Sequence, residues 1–509
     1  MNSNSFYVTT PIYYVNDVPH IGHAYTTCAA DILARYHRLL GEKVFFVTGT
    51  DEHGQKIEKA AAAQNITPQA LVDRVILRFQ ELWKKMEISN DDFIRTTESR
   101  HLETVKELFL TLQKKGDVYK GEYEGWYCIP CETFWPENQL DDRLVCPDCG
   151  RPLEKVREES YFFALSRYEK PLLDYFESHP DFVMPESRYN EIVSFIKSGL
   201  KDQSISRLGL NWGIPVPGDE KHALYVWFDA LINYLTVVSY GRNSEKFDLF
   251  WPSVHHLVGK DILRFHSVLW PGMLLAAGLS LPKRIFAHGW WTVDGEKMSK
   301  SRGNVVDPHL MIEKYGLDRF RYFIMREVSF GLDGDFSEKS LVERTNSDLS
   351  DNFGNLVHRT LSMAWKYFNG KVPKPDDSTE PEWKELMKEV LKNLAYYMDK
   401  FAFAQALESI WKLVHYCNRY IEKKAPWVLN KDQDKRKELN QVMYLLLDSC
   451  RILALMTYPF IPSTAVQLWD QLGFKIPLTS MILDQEVIWN QNPSLFELEK
   501  PVPLFPRIL

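Results

Sequence analysis

The sequence predicts an α/β protein: a Rossmann-like parallel sheet, interrupted by a cysteine-stapled insert and followed by an all-α helical bundle. Three observations predict it. Strand-like and helix-like patterns alternate near the N-terminus, the opening of a parallel sheet. Between Gly116 and Leu165 that alternation stops, and two cysteine pairs appear among aromatic runs and prolines. From about Glu343 onward the apolar spacing is helical with few strands. At 509 residues the chain is too long for one core and suggests roughly two to four domains. The expected partition gives 1–115 and 226–345 to the two halves of the sheet domain, 116–225 to the insert and 346–509 to the bundle.

Phe6 to Tyr13 is β-branched and aromatic and reads as a buried strand. Asn16-Asp17-Val18-Pro19 then supplies a polar cap and a proline, a helix-start signal. Ala24, Cys28, Ile32, Tyr36 and Leu39 recur at three- and four-residue steps, so a helix is expected from about His20 to Leu40, stopped by Gly41. Lys43 to Thr48 reads as the next strand. Val254 to Val258 and Arg284 to Ala287 are strand-like, and Leu407 to Leu413, Met443 to Met456 and Thr464 to Leu472 are helical. Lys371 to Glu382, with its prolines and paired Asp, is the best candidate for an exposed loop.

Composition narrows function only slightly. The formal charge is −7, which argues against a broad basic field for nucleic acid and leaves room only for a local basic surface reading a shaped RNA. Met1 to Tyr7 has no signal-peptide pattern. The apolar stretch Val268 to Leu281 is shorter than a bilayer span and contains Pro271. A cytoplasmic protein is expected, and the seven cysteines fit a reducing compartment where close pairs bind metal rather than form disulfides.

Three motifs carry chemistry. His20-Ile21-Gly22-His23 lies at a strand-to-helix turn, where backbone N–H groups and the helix dipole favour anions. This arrangement suits ATP, with the purine on Gly22 and the phosphates beside the histidines. The bland alternative is that both histidines cap or pack the helix start. Lys297-Met298-Ser299-Lys300-Ser301 follows a Gly-bearing turn, and its two lysines can close over a triphosphate as point charges; a solvated charged loop is the bland alternative. Cys128-Ile-Pro-Cys131 and Cys146-Pro-Asp-Cys149, fourteen residues apart, approach the spacing of a closed Cys₄ zinc site, which would be structural because it has no open position.

Both nucleotide motifs match the signatures of class I aminoacyl-tRNA synthetases, and the surrounding chain resembles the methionyl-tRNA synthetase family. The segments that carry the likeness include Thr10-Pro11-Ile12-Tyr13-Tyr14-Val15-Asn16, Gly49-Thr50-Asp51-Glu52-His53-Gly54, Tyr225-Val226-Trp227-Phe228-Asp229-Ala230, Gly259-Lys260-Asp261-Ile262, Asn355-Leu356-Val357-His358-Arg359 and Ala425-Pro426-Trp427. The resemblance covers essentially the whole chain.

The resemblance implies ATP-dependent activation of L-methionine to an adenylate and transfer to tRNA(Met), initiator tRNA included. It assigns catalysis to His20, His23, Lys297 and Lys300, and ATP binding to Gly22, Gly259, Asp261 and the two lysines, with Mg²⁺ on the phosphates. The methionine pocket would be Ile12, Tyr14, Asp51 (for the ammonium), Trp227, Ala230, Tyr234, Phe265, His266 and Trp270, with Tyr234 and the Ile12 N–H facing the sulfur. Asn355, Arg359 and Trp427 would read the anticodon, which makes 346–509 an anticodon-binding domain and the insert a zinc-knuckle connective domain. The sequence ends soon after the bundle, so a monomer is expected, with room for a separately encoded tRNA-binding subunit. The alternatives are a cysteinyl synthetase and a non-enzymatic, zinc-containing tRNA-binding protein.

Overall fold

A computed structural model describes residues 5–15, 19–129, 133–135, 140, 144–147, 149–293, 295–298, 304–373, 380–487 and 497–509. The chain forms two compact units, residues 1–19 with 45–288, and residues 20–44 with 289–509.

The first unit is built on a six-stranded sheet. Its strands are β1 (Ser5–Tyr14), β2 (Lys43–Asp51), β3 (Asp92–Arg95), β7 (Val183–Met184), β8 (Val254–Gly259) and β9 (Arg284–His288), in the spatial order β3-β2-β1-β8-β9-β7. The pairings β2–β3, β1–β8, β8–β9 and β9–β7 are parallel. A parallel sheet covered on both faces needs near-continuous apolar strands. β1 is accordingly buried almost throughout and β9 entirely. The chain runs outward from β1 to β3, then returns to the other side of β1 at β8. That reversal makes a crevice at the carboxyl ends of β1 and β8, the place where open α/β sheets bind ligands.

Between β3 and β7 lies a long antiparallel ribbon of β4 (Val118–Cys128) and β6 (Glu154–Phe163), in register from Val118↔Phe163 to Tyr127↔Glu154, with the short β5 (Thr133–Trp135) on its outer edge. This is where helical spacing is lost in the sequence. Among the described residues, the ribbon tip has a small core of Cys128, Trp135, Cys146 and Leu153, with Trp126 and Leu140 against it.

The second unit begins with the helix Ile21–Leu39. Its expected apolar positions are buried, and Gly41 follows in the left-handed region at φ 77°. The bundle contains Pro381–Asp399, Phe403–Lys424, Arg436–Thr457 and Pro462–Gln471. The first of these starts at Pro381, a favoured N1 residue, so the last two residues of the expected loop are helical; 374–379 lie outside the described residues. The helical stretch Gln433–Thr457 is apolar and long enough by composition to cross a membrane, yet most of its apolar window is buried inside the protein.

A buried ionic cluster ties this unit together. Asp31, on the first helix, accepts from Arg35 at 2.8 Å and from Arg321 at 2.7 Å. Arg321 also donates to the Phe460 and Pro459 carbonyls, at 3.1 and 2.9 Å, and Arg35 donates to the Tyr458 hydroxyl at 2.7 Å. Asp31 and Arg321 are fully buried. Buried charges persist only when paired and hydrogen-bonded, and the partners named here come from the first helix, from Leu317–Arg326 and from the turn before Pro462.

Candidate active site

The start of the first helix is capped by its own two histidines. The His20 Nδ1 accepts the Gly22 N–H at 3.0 Å, and the His23 Nδ1 accepts the His20 N–H at 3.0 Å, a reciprocal capping box. Accepting at Nδ1 fixes each imidazole as its Nε2–H tautomer. The rings lie 4.0 Å apart and stay partly exposed. Burial, with His20 adding to it, holds the His23 pKa well below the usual histidine value, so its ring is a neutral donor. The capping reading of this motif therefore holds: Nδ1 of each ring caps the helix, and each ring carries its hydrogen on Nε2. A Cβ on Gly22 would stand 2.9 Å from His20 Cε1. The glycine lets the His20 ring fold back over the helix start.

Of the lysines expected beside these histidines, the Lys297 backbone lies in a short strand with Glu296. Its side chain, and the whole of Lys300, lie outside the described residues.

In the first unit, candidate residues gather at the carboxyl edge of the sheet. Ile12 and Tyr14 end β1, Asp51 ends β2, and Gly259 ends β8 with Asp261 just beyond. Asp51 is 5 % exposed, and its carbonyl accepts from the Val15 N–H at 3.4 Å. The Tyr14 hydroxyl donates to the His53 carbonyl at 3.2 Å. A Cβ on Gly259 would stand 2.6 Å from an Asp261 carboxylate oxygen, so a side chain there would push that carboxylate out of its present position.

The aromatic candidates form one continuous cluster. Trp227 and Phe265 stack at 4.0 Å with planes 4° apart, and Trp227 meets His266 edge-on at 6.0 Å. His266 sits in a π-helical turn, Phe265–Leu269, a distortion frequent at functional sites. Its Nδ1 is 2.9 Å from the Ile262 carbonyl, and its Nε2 is 2.9 Å from the Tyr234 hydroxyl. A carbonyl only accepts, so Nδ1 carries the hydrogen and Tyr234 donates to Nε2. Burial pulls the His266 pKa down to about 4, consistent with that neutral acceptor. Of the two donors expected to face a sulfur, Tyr234 thus has its hydrogen committed to His266. Ala230 packs one turn before Tyr234, buried like it. Trp270 is fully buried, and its indole N–H donates to His256 Nε2 at 3.2 Å, so the His256 Nδ1–H donates to Thr9 Oγ1 at 2.8 Å.

Two buried carboxylates, Asp229 and Glu52, and the partners that hold them were given no role from the sequence. The Asp229 carboxylate accepts from His53 Nδ1 and from His101 Nε2, both at 2.7 Å. Burial pushes the Asp229 carboxyl up, but His53 and His101 more than offset it and hold it below the usual carboxylate range. Beside it, Glu52 is gripped by Arg95 through two bonds of 2.7 and 2.9 Å and by Thr97 at 2.6 Å. These contacts lock the turn Glu52–Gly54 that follows Asp51.

His23, His256 and His266 all have pKa values lowered chiefly by burial. The native chain then binds fewer protons than the unfolded chain below the ordinary histidine pKa near 6.5. Stability from these groups is complete above about pH 6.5 and is lost as pH falls toward about 4, the value at which His266 charges. Thermal midpoints measured from pH 7.5 to 4 should fall over this window, and a His266→Gln variant should fall less. Equal slopes would remove His266 from the account.

At the ribbon tip, Cys128, Cys146 and Cys149 converge, their sulfurs within 4.8 Å of one another, with Cys128 and Cys149 at 3.6 Å. Tetrahedral ligation at about 2.3 Å per Zn–S bond spaces sulfurs by roughly 3.8 Å. Gly150, at φ 69°, donates to the Cys146 carbonyl at 2.7 Å and turns the knuckle. The three thiols fit zinc; Cys131 lies outside the described residues. In the bundle unit, Arg359 stands 6.0 Å over the Trp427 ring and pairs with Glu422 at 2.7 Å. Asn355 is exposed one helical turn before Arg359.

Comparison with known proteins agrees along the chain. The family described as "tRNA synthetases class I (M)" matches residues 6–155 and 151–361, and "Anticodon-binding domain of tRNA ligase" matches 385–502. The methionine–tRNA ligase of Caldanaerobacter subterraneus subsp. tengcongensis is 53% identical over 481 residues, 94% of this chain and 75% of that protein. The methionine–tRNA ligase of Fusobacterium nucleatum is 49% identical over 509 residues, 99% of this chain and 80% of that protein. Mycobacterium tuberculosis methionyl-tRNA synthetase in complex with methionyl-adenylate superimposes with a TM-score of 0.94 at 41% identity, covering 99% of this chain and 100% of that one.

Proposed function

Because the chain belongs to the class I tRNA synthetases, in the methionine–tRNA ligase family, we infer that it activates L-methionine with ATP and transfers it to tRNA(Met). The observation that carries the chemistry is the pair of histidines whose Nδ1 atoms are spent on the helix cap. That cap orients both rings at a helix N-terminus, with their hydrogens on Nε2.

The methionine carboxylate attacks the α-phosphorus and pyrophosphate leaves, so no enzyme nucleophile is needed. The protein's part is positioning and stabilisation of developing phosphoryl charge. We assign His20 and His23 to that charge through Nε2–H, with Lys297 and Lys300 on the departing phosphates. Gly22, Gly259 and Asp261 are assigned to ATP. Mg²⁺ bound with ATP neutralises part of the phosphate charge.

Asp51 is assigned to the substrate ammonium, and Ile12, Tyr14, Trp227, Ala230, Tyr234, Phe265, His266 and Trp270 are assigned to the methionine pocket. A neutral, polarisable wall suits a thioether side chain. The Tyr234–His266 pair keeps that wall uncharged throughout the physiological range. Zinc at the knuckle, completed by Cys131, is structural: it stands in for a core too small to hold the tip alone.

Methionine-dependent ATP–pyrophosphate exchange tests this reading. Exchange is expected with methionine and not with leucine, isoleucine or cysteine. tRNA binding without exchange would instead favour a non-enzymatic protein. Asn355, Arg359 and Trp427 are assigned to the anticodon, initiator and elongator tRNA alike. A stacked base is worth about 1–3 kcal/mol, so Trp427→Ala should raise the KM for tRNA about tenfold while leaving exchange unchanged. An unaltered KM would remove Trp427 from the interface. We place the protein in the cytoplasm, acting as a monomer, and a separate tRNA-binding subunit is compatible with this.

A further inference from the structure

Asp229 is assigned to no substrate group, yet it joins two parts of the pocket. It lies on the short helix Val226–Leu231, between Trp227 and Ala230. Its buried carboxylate accepts from His53 Nδ1 through one oxygen and from His101 Nε2 through the other, both at 2.7 Å. His53 stands two residues after Asp51, and its carbonyl accepts from the Tyr14 hydroxyl at 3.2 Å. His101 comes from the helix Ser99–Lys114, and its Nδ1 is 3.1 Å from Thr236 Oγ1. The carboxylate is thus pinned from two sides by elements far apart in the chain.

The two ends of the His53–Asp229 bond belong to different halves of the substrate site. One end is fixed to the turn that carries Asp51, assigned to the ammonium. That turn is held along its backbone as well: Trp212 Nε1 donates to the Glu52 carbonyl at 2.5 Å, and the Gly54 N–H donates to the Trp212 carbonyl at 3.0 Å. The other end is fixed to the helix that carries Trp227 and Ala230, assigned to the side chain. Stability alone does not call for a carboxylate at this place. Replacing a buried ionic group by apolar residues of like volume is often neutral or stabilising, and the best-attested use of such groups is to fix register. Apolar packing is non-directional, whereas a hydrogen bond fixes both distance and angle.

We propose that the His53–Asp229 bond is a length gauge: it sets the separation between the ammonium site and the thioether pocket, and with it the length of amino acid that is activated. Asp229, His53 and His101 are positioning residues in this role, acting through Asp51 on one side and through Trp227 and Ala230 on the other. The proposal rests on the ligase reading above and on its assignment of Asp51. Length is where a small displacement matters most. One methylene in an apolar pocket is discriminated by only about 10–200-fold, so a slack gauge would lose much of that margin.

Pyrophosphate exchange with three amino acids tests the gauge. Ethionine is methionine lengthened by one methylene, and norleucine keeps methionine's length with a methylene in place of sulfur. His53→Leu removes the donor to Asp229. It should lower the preference in kcat/KM for methionine over ethionine about tenfold, within what one methylene is worth, and leave the preference over norleucine unchanged. His53→Asn, whose amide nitrogen stands where Nδ1 stood, should restore the parent preference. Asp229→Asn, which leaves one oxygen for two donors, supplies the same comparison should His53→Leu misfold. An equal fall for all three amino acids, an unaltered preference over ethionine, or a norleucine preference shifted as much as that for ethionine overturns the proposal. Failure of His53→Asn to restore the preference counts the same way. Absence of methionine-dependent exchange in the parent protein would instead strike the ligase reading, and an Asp51→Asn variant with the parent KM for methionine would strike the Asp51 assignment.

Discussion

Replacing Asp31 by alanine is expected to destabilise the second unit by about 3–5 kcal/mol, the cost of breaking a buried ion pair by removing one partner. The reason lies in what remains. Arg321 is fully buried and Arg35 nearly so, and without Asp31 two like charges would stand in a medium that screens poorly. Their bonds to the Phe460, Pro459 and Tyr458 oxygens satisfy hydrogens, and Asp318, which also acts on Arg321, is the weaker of its two carboxylate partners. Urea unfolding followed by circular dichroism should show the loss as a lower midpoint. A triple variant, Asp31→Leu with Arg35→Met and Arg321→Met, should recover most of it, because apolar replacements of similar volume are often neutral or stabilising. A midpoint unchanged in Asp31→Ala would mean that water reaches the cluster.

The second large effect is on rate. His20→Asn is expected to lower pyrophosphate exchange by about 10²–10³, the loss of one oriented donor, or about 2.7–4 kcal/mol. Asparagine is chosen because it is among the best N-cap residues. It replaces the His20 Nδ1 as acceptor for the helix N–H groups without supplying a donor where Nε2–H stood. The thermal midpoint should therefore hold while the rate falls. Alanine at the same position would confound the two by also removing a cap worth about 0.5–2 kcal/mol. If His20→Asn keeps full exchange activity, the imidazole is a cap and nothing more.

The first helix shows how much was legible in the sequence. Apolar steps of three and four, a terminal glycine and a polar start suffice to place Ile21–Leu39 within a residue or two. Strands β1, β8 and β9 were readable for a similar reason: continuous β-branched and aromatic runs bury both faces. What periodicity does not carry is partnership across the chain. Asp229 and His101 are 128 residues apart, and nothing local marks either as ionic. The Asp31–Arg321 pair, separated by 290 residues, is hidden in the same way, since a charge on a helix is usually a solvated one. Nor could residue types alone tell that the Tyr234 hydrogen turns toward His266. That depends on the Ile262 carbonyl fixing the ring's tautomer, a matter of ångströms.

The pairing of Arg359 with Glu422 at 2.7 Å bears on how ionic strength would govern tRNA recognition. A lone surface arginine displaces condensed counterions when it meets RNA, which makes affinity fall steeply with salt. An arginine already neutralised by a carboxylate exchanges one partner for another instead. In the anticodon role assigned to Arg359, this contact should add less to the salt dependence than its charge suggests. Removing Glu422 should steepen that dependence while strengthening binding in dilute buffer. The ion pair then serves as a brake on indiscriminate attraction to polyanions, leaving the neighbouring Trp427 ring to favour RNA that offers a base to stack.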